Sequence, residues 1–182
     1  MKLNIGCGTT KIEGFINLDI NPDCNPDIVH DFRKGLPYPN EHFDEIVCFH
    51  IIEHIEKKFH QSLLRDIHRA LKPTGKFYIT FPDFWKCAEY WKENKRGDRK
   101  FWEDTIFGRQ AYPGDYHVCI CTLDQMSRQL SGIGFDPYYQ GYEPYPNEIN
   151  AVIKCTKDKH FTYQEGLKEM NSNTNIEELI AK

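Results

Sequence analysis

The chain opens as short apolar runs separated by polar breaks. Lys2-Leu3-Asn4-Ile5 reads as a strand that stops at Gly6-Cys7-Gly8. In Phe15–Ile20 the apolar residues 16, 18 and 20 alternate with polar ones, the period of a strand. Asp27–Phe32 predicts a third strand. Phe43–Phe49 predicts a fourth, and its Ile46-Val47-Cys48-Phe49 run suits a strand covered on both faces of a parallel sheet. The period then changes. Apolar residues recur at 51, 52, 55, 59, 63, 64, 67 and 71, which predicts a helix from about Ile51 to Leu71, closed by Pro73-Thr74-Gly75. Lys76–Phe81, rich in aromatic and β-branched residues, predicts a fifth strand.

The second half is less regular. A helix is expected around 84–95, and its aromatic-rich continuation to Trp102 suits either a lid or core packing. Residues 105–121 carry Gly108, Pro113 and Gly114 and read as an irregular loop. Thr122 is a good N-cap for a helix over Leu123–Ser131, which Gly132 and Gly134 stop. Strands near 137–143 and 150–156 complete the sheet. This order predicts an α/β fold: a Rossmann-like open, mostly parallel twisted sheet with an antiparallel edge strand, in three α/β/α layers. We expect one domain over residues 1–156 and a polar, potentially helical tail over 157–182.

Composition narrows the function. With 182 residues, 40% of them hydrophobic, the chain suits one globular domain. Its 23 basic and 27 acidic residues give a net charge of −4 and no basic stripe, which argues against nucleic acid as a partner. No apolar run approaches the roughly 18 residues of a membrane span. Seven scattered cysteines with no leader-like segment fit reduced thiols and a cytoplasmic setting. Cys119 and Cys121 are the one close pair, and no zinc-type spacing accompanies them, so no metal is expected. Oligomeric state cannot be read from the chain.

In open α/β sheets, ligands bind beyond the carboxyl ends of the strands. Those ends here are Gly6-Cys7-Gly8, Asp19, Asp31-Phe32, Phe49-His50 and Pro82-Asp83. The glycines let backbone approach a ligand, and free N–H groups in such a turn can bind an anion. A carboxylate at Asp19 can accept from both ribose hydroxyls, with Ile20 beside it. Asp31 can accept from an adenine amine while Phe32 packs on the base. Together they describe a nucleoside carrying a small charged arm. His50-Ile51-Ile52-Glu53-His54 also spells a zinc-peptidase pattern. That pattern needs both histidines on one helix face, and His50 falls at a strand end. Glu53 and His54 then read as first-turn residues of the following helix, where a carboxylate is favourable.

The runs Leu3–Gly8, Asn17-Leu18-Asp19, His30-Asp31-Phe32, Leu36–Pro39, Phe43-Asp44, Ile52-Glu53-His54 and Leu71–Gly75 resemble, in order and spacing, the class I methyltransferases that use S-adenosylmethionine, and most closely small type-11-like members. The resemblance covers roughly residues 2–83. It implies that Gly6, Cys7 and Gly8 meet the methionine arm, Asp19 the ribose and Asp31-Phe32 the adenine. Phe49-His50 would face the methyl end, and S-adenosylhomocysteine would be the product. Asn4 stands where the family has an acidic residue, and Thr9-Thr10 where it often has a third glycine. Only eight residues, Cys7 to Gly14, join the first two strands. A crossover helix needs about a dozen, so a bare loop or single turn is expected. The acceptor is read as a small molecule or sugar offering a hydroxyl or amine, entering beside His50, His54 and His117 under the 105–121 loop. His117 is the candidate base or acceptor contact. A non-catalytic nucleoside-binding or partner subunit is the alternative reading of the same residues.

Overall fold

The computed structural model describes residues 1–95, 97–143 and 149–158. The tail expected beyond residue 158 lies outside them. Seven strands form one sheet: β1 (Lys2–Ile5), β2 (Ile16–Asp19), β3 (Ile28–Val29), β4 (Phe43–Phe49), β5 (Leu71–Pro82), β6 (Phe135–Tyr142) and β7 (Asn150–Lys157), in the spatial order β3-β2-β1-β4-β5-β7-β6. The pairings from β3 to β5 are parallel, and β7 runs antiparallel to both β5 and β6. Antiparallel pairing is thus confined to one edge, with the reversed strand one in from the margin.

Four helices are described: α1 (Lys57–Ala70), α2 (Phe84–Lys92), α3 (Arg99–Phe107) and α4 (Leu123–Ser131). Leu63, Leu64 and Ile67 of α1 and Met126 and Leu130 of α4 join one core with Leu3, Ile5, Phe77, Ile79 and Ile153 of the sheet. Alternation sends Tyr78 and Lys154 to the opposite face. There Lys154 lies over the rings of Tyr78 and Tyr139, which a shift in register after Pro137 brings to this side. The expected layering is therefore built by α1 and α4 on one face, and no residue of α2 or α3 belongs to that core cluster. No helix among the described residues is long and apolar enough to cross a membrane.

Several boundaries differ from expectation. The third strand shrinks to Ile28–Val29, because Asp31 turns the chain by capping a 3-10 turn over Phe32–Lys34. The long helix does not start at Ile51. A 3-10 turn covers Ile52–His54, Ile55 is extended, and α1 begins at Lys57. The apolar period runs through that break because both pieces cover the same core, with Ile52 and Ile55 buried. Strand β5 begins directly at Leu71. Thr74 at φ +63° lies between the Leu71 and Lys76 pairings with β4, so Pro73–Gly75 is an irregularity within the strand. Residues 99–107, the last three of them expected in the irregular loop, form α3, which Asp98 caps by accepting the Phe101 N–H. Between β1 and β2, which end at Ile5 and begin at Ile16, no helix forms, as so short a connection requires.

Candidate functional site

The short β1–β2 loop is held by polar side chains in place of a helix: Asn4 and Asn17, both buried, and Asp27 at the surface. Asn17 Oδ1 accepts from Asn4 Nδ2 at 3.0 Å and from the Ile12 N–H at 2.9 Å. Asp27 accepts from the backbone and side-chain amides of Asn17 at 2.8 and 3.0 Å, which holds its carboxyl below the ordinary range. Gly6 adopts φ +68° under Ile51, so close that a Cβ there would sit 2.1 Å from Ile51 Cδ1.

The turn is not the cradle of free N–H groups expected from its glycines. Gly6 and Cys7 both donate to the Leu18 carbonyl, Thr10 to the Cys7 carbonyl, and Gly8 to Asp19 Oδ2 at 2.7 Å. With no crossover helix to fix the turn, its amides are spent on β2. Asp19 is buried, and its other oxygen accepts the Asn21 N–H at 2.8 Å. It braces two loops and offers a ligand only its remaining lone pairs. Burial pushes the Cys7 thiol up to about 11, so Cys7 is a neutral wall.

A cavity of about 970 Å³ opens above this turn, at the upper end of the range for ligand pockets. Asn4, Gly6, Cys7, Gly8, Asp19, Ile20, Phe32, Phe49, His50, His54 and His117 all line it. Asp31 does not. Its carboxylate is engaged by Arg33, with Nε at 2.8 Å and Nη2 at 3.1 Å, and the guanidinium holds it below the usual carboxylate range. Arg33 and Phe32 present that corner of the wall instead. Asp83 is also taken. It is buried, one oxygen accepting from Lys86 N and the other from Leu123 N, so it caps α2 and fixes the start of α4.

At the other end, His50 closes β4 with φ +54°, an uncommon conformation for a residue with a side chain and one that collects at functional sites. Its Nδ1 lies 3.4 Å from Glu53 Oε1. Burial lowers its affinity for a proton, and the neighbouring carboxylate more than offsets this, leaving His50 above the ordinary imidazole range. His54 stacks edge-to-face on His117, ring centres 4.7 Å apart. His54 Nδ1 is 3.0 Å from the Tyr116 carbonyl, which can only accept, so the contact places a proton on Nδ1. Burial holds His117 below the ordinary imidazole range.

The loop over this end is tied down. His117 N donates to the Phe107 carbonyl and Val118 N to that of Glu53. Gly108, which marked this stretch as loop, is a point of close approach: a Cβ would lie 2.3 Å from the Asp115 carbonyl. Glu53 is the residue that reading by pattern passed over. It is 3% exposed, lines the cavity, and neither carboxylate oxygen has a hydrogen-bond partner.

A glycine turn, a buried carboxylate and Phe32 thus line one end of a cavity at the carboxyl side of the parallel strands, and a histidine cluster lines the other, the place where a Rossmann-like sheet receives its ligand. The comparisons agree. A family model described as a methyltransferase domain matches residues 4–140. The chain belongs to that family, the class I methyltransferases whose methyl donor is S-adenosylmethionine. No curated protein matches the sequence. Among solved structures it resembles an S-adenosylmethionine-dependent methyltransferase from Methanosarcina mazei (TM-score 0.63, 19% identity, 86% of this chain and 92% of that one). A protein from Pyrococcus horikoshii is similar (TM-score 0.64, 15% identity, 86% and 81%). So is 1,6-didemethyltoxoflavin-N1-methyltransferase from Burkholderia thailandensis, solved with 1,6-didemethyltoxoflavin and S-adenosylhomocysteine (TM-score 0.58, 15% identity, 87% and 71%).

Proposed function

We propose that this chain is a catalytically competent methyltransferase that binds its donor between the Gly6–Gly8 turn and Asp19 and methylates a hydroxyl or amine of a small molecule or sugar beside His50, His54 and His117. The observation that carries the reading is the single cavity joining these two groups of residues. When bound, the donor supplies an electrophilic methyl group on a sulfonium. The chain's own residues then position the partners and exclude water. Asp19 takes the ribose with its spare lone pairs, Phe32 and Ile20 enclose the base, and Asn4 keeps the loop in place. The histidine end serves the acceptor. A hydroxyl must lose a proton, and an imidazole there can take it near pH 7. The Burkholderia neighbour, with a small heterocycle bound, lends support to an acceptor of small size.

Calorimetric titration with S-adenosylhomocysteine should show one site per chain. An absence of heat at millimolar ligand would remove the reading. Binding with no turnover across a panel of hydroxyl and amine acceptors would assign a nucleoside-binding role without catalysis.

A further inference from the structure

The acceptor end of the cavity contains a buried carboxylate to which no described residue donates a hydrogen bond. Glu53 is almost wholly buried, and both its oxygens lack hydrogen bonds. His50 reaches only Oε1, at ion-pair distance. An ionised carboxylate left this way costs several kcal/mol, and proteins relieve such a cost by pairing the charge or coordinating a metal. Beside it stand two imidazoles, His54 and His117, their ring centres 4.7 Å apart. One ligand atom each from Glu53, His54 and His117 lies within 4.8 Å of the others.

We infer that Glu53, His54 and His117 bind a divalent first-row transition cation such as Mn²⁺, Co²⁺ or Zn²⁺, with its open coordination positions facing the acceptor. Two imidazoles and a carboxylate are a mixed nitrogen–oxygen set, which suits these ions better than Mg²⁺ or Ca²⁺. Ligands about 2.1 Å from an ion lie roughly 3.0–3.4 Å apart, so side-chain rotations of about an ångström close the cage. The backbone is already set for this. The 3-10 turn over Ile52–His54 places Glu53 and His54 consecutively, and the Val118 N–H to Glu53 carbonyl bond at 2.9 Å holds the His117 loop against that turn. The Tyr116 carbonyl on His54 Nδ1 is the outer contact that orients a metal-binding imidazole and raises its basicity.

This inference deepens the proposed function and rests on its reading of this end as the acceptor site. A cation there would hold an acceptor oxygen and make its hydroxyl more acidic, the proton leaving to water, as metal-bound water is acidified. It favours acceptors offering two adjacent oxygens over a lone amine, and it gives His54 and His117 a binding task that leaves His50 as the free imidazole.

The test uses the full chain, stripped with chelator and titrated with Co²⁺, following visible absorption and calorimetric heat. One equivalent should bind. His117→Ala and Glu53→Gln should each weaken Co²⁺ by roughly 100-fold or more, since even outer contacts to metal ligands cost 10- to 100-fold. Asp31→Ala, outside the cavity wall, should leave Co²⁺ affinity unchanged. Because Glu53→Gln alters a buried site, His117→Ala and His54→Ala carry the result if that variant misfolds. No Co²⁺ binding, or binding unchanged in all three ligand variants, overturns the inference. S-adenosylhomocysteine affinity is measured on the same samples. Donor binding without Co²⁺ defeats the metal alone, whereas Co²⁺ binding without donor defeats the functional reading instead.

Discussion

The two ends of the cavity differ in how their polar groups are satisfied. At the glycine turn every charge has a partner before any ligand arrives: Asp19 holds the Gly8 and Asn21 amides, and the turn's own N–H groups serve β2. At the histidine end Glu53 is buried without a hydrogen bond, and His50 is held in an uncommon backbone conformation. A site whose groups are already paired is rigid and adds ligand contacts through spare lone pairs. A site whose buried carboxylate lacks hydrogen bonds is costly unless something complementary fills it. The first end is therefore a preformed seat, and the second is the place where binding changes the most.

The largest expected effect tests the rigidity of the first end. In Gly6→Ala the new Cβ meets Ile51, and the backbone must keep φ +68°. Overpacking costs about 1–3 kcal/mol, and the left-handed conformation about 1–2 kcal/mol more. Denaturant titration should show a loss in that combined range, with donor affinity falling below detection. Adding Ile51→Ala should recover the steric part and leave the backbone part. Full stability in the single variant would show that the turn is less tightly built than its geometry indicates.

His117→Ala probes the second end. It removes a side chain that lines the cavity and stacks on His54, while its backbone contact to Phe107 stays. Turnover should slow by roughly a hundredfold or more, with donor affinity nearly intact. A matching loss of donor affinity would merge the two ends into one unit and remove the contrast.

How far the sequence reveals each end follows the same division. Gly6, Gly8 and Asp19 were legible because strand period and glycine punctuation are local signals. So were β1, β2, β4 and the Thr122-capped α4, where one alternation or cap decides the element. What the sequence did not show depends on long-range partners. Glu53 looks like a first-turn helix residue until Ile55 is seen to be extended and the 108–121 loop folds over it. Asp83, at a strand end, looks like a ligand group until its two oxygens meet Lys86 and Leu123. Apolar period alone could not reveal the break between Ile51 and Lys57, because both sides of it face one core. Helix α3 was hidden by its charged, weakly periodic sequence and is defined by contacts of Trp102 with Cys87 and Ile149.

The smallest effect separates two aspartates that look alike in sequence, each at the end of a strand reading and each a plausible nucleoside contact. Asp19 lines the cavity and is buried, and Asp19→Ala removes both a charge-assisted ribose contact and the brace on Gly8. The contact alone is worth about 1.5–3 kcal/mol, so affinity for S-adenosylhomocysteine should fall by at least about tenfold. Asp31 lies outside the wall, and its carboxylate is matched by Arg33 in a two-point contact. Partly exposed pairs of this kind contribute little to stability. Asp31→Ala frees Arg33 to move and removes the cap on the Phe32–Lys34 turn, worth about 1 kcal/mol. Donor affinity measured by calorimetry should then change by no more than about fivefold, the share of that cap which reaches Phe32. An effect of Asp31→Ala as large as that of Asp19→Ala would show that Asp31 leaves Arg33 to contact the base when donor binds. In that case the first end, too, rearranges on binding, and the difference between the two ends is one of degree.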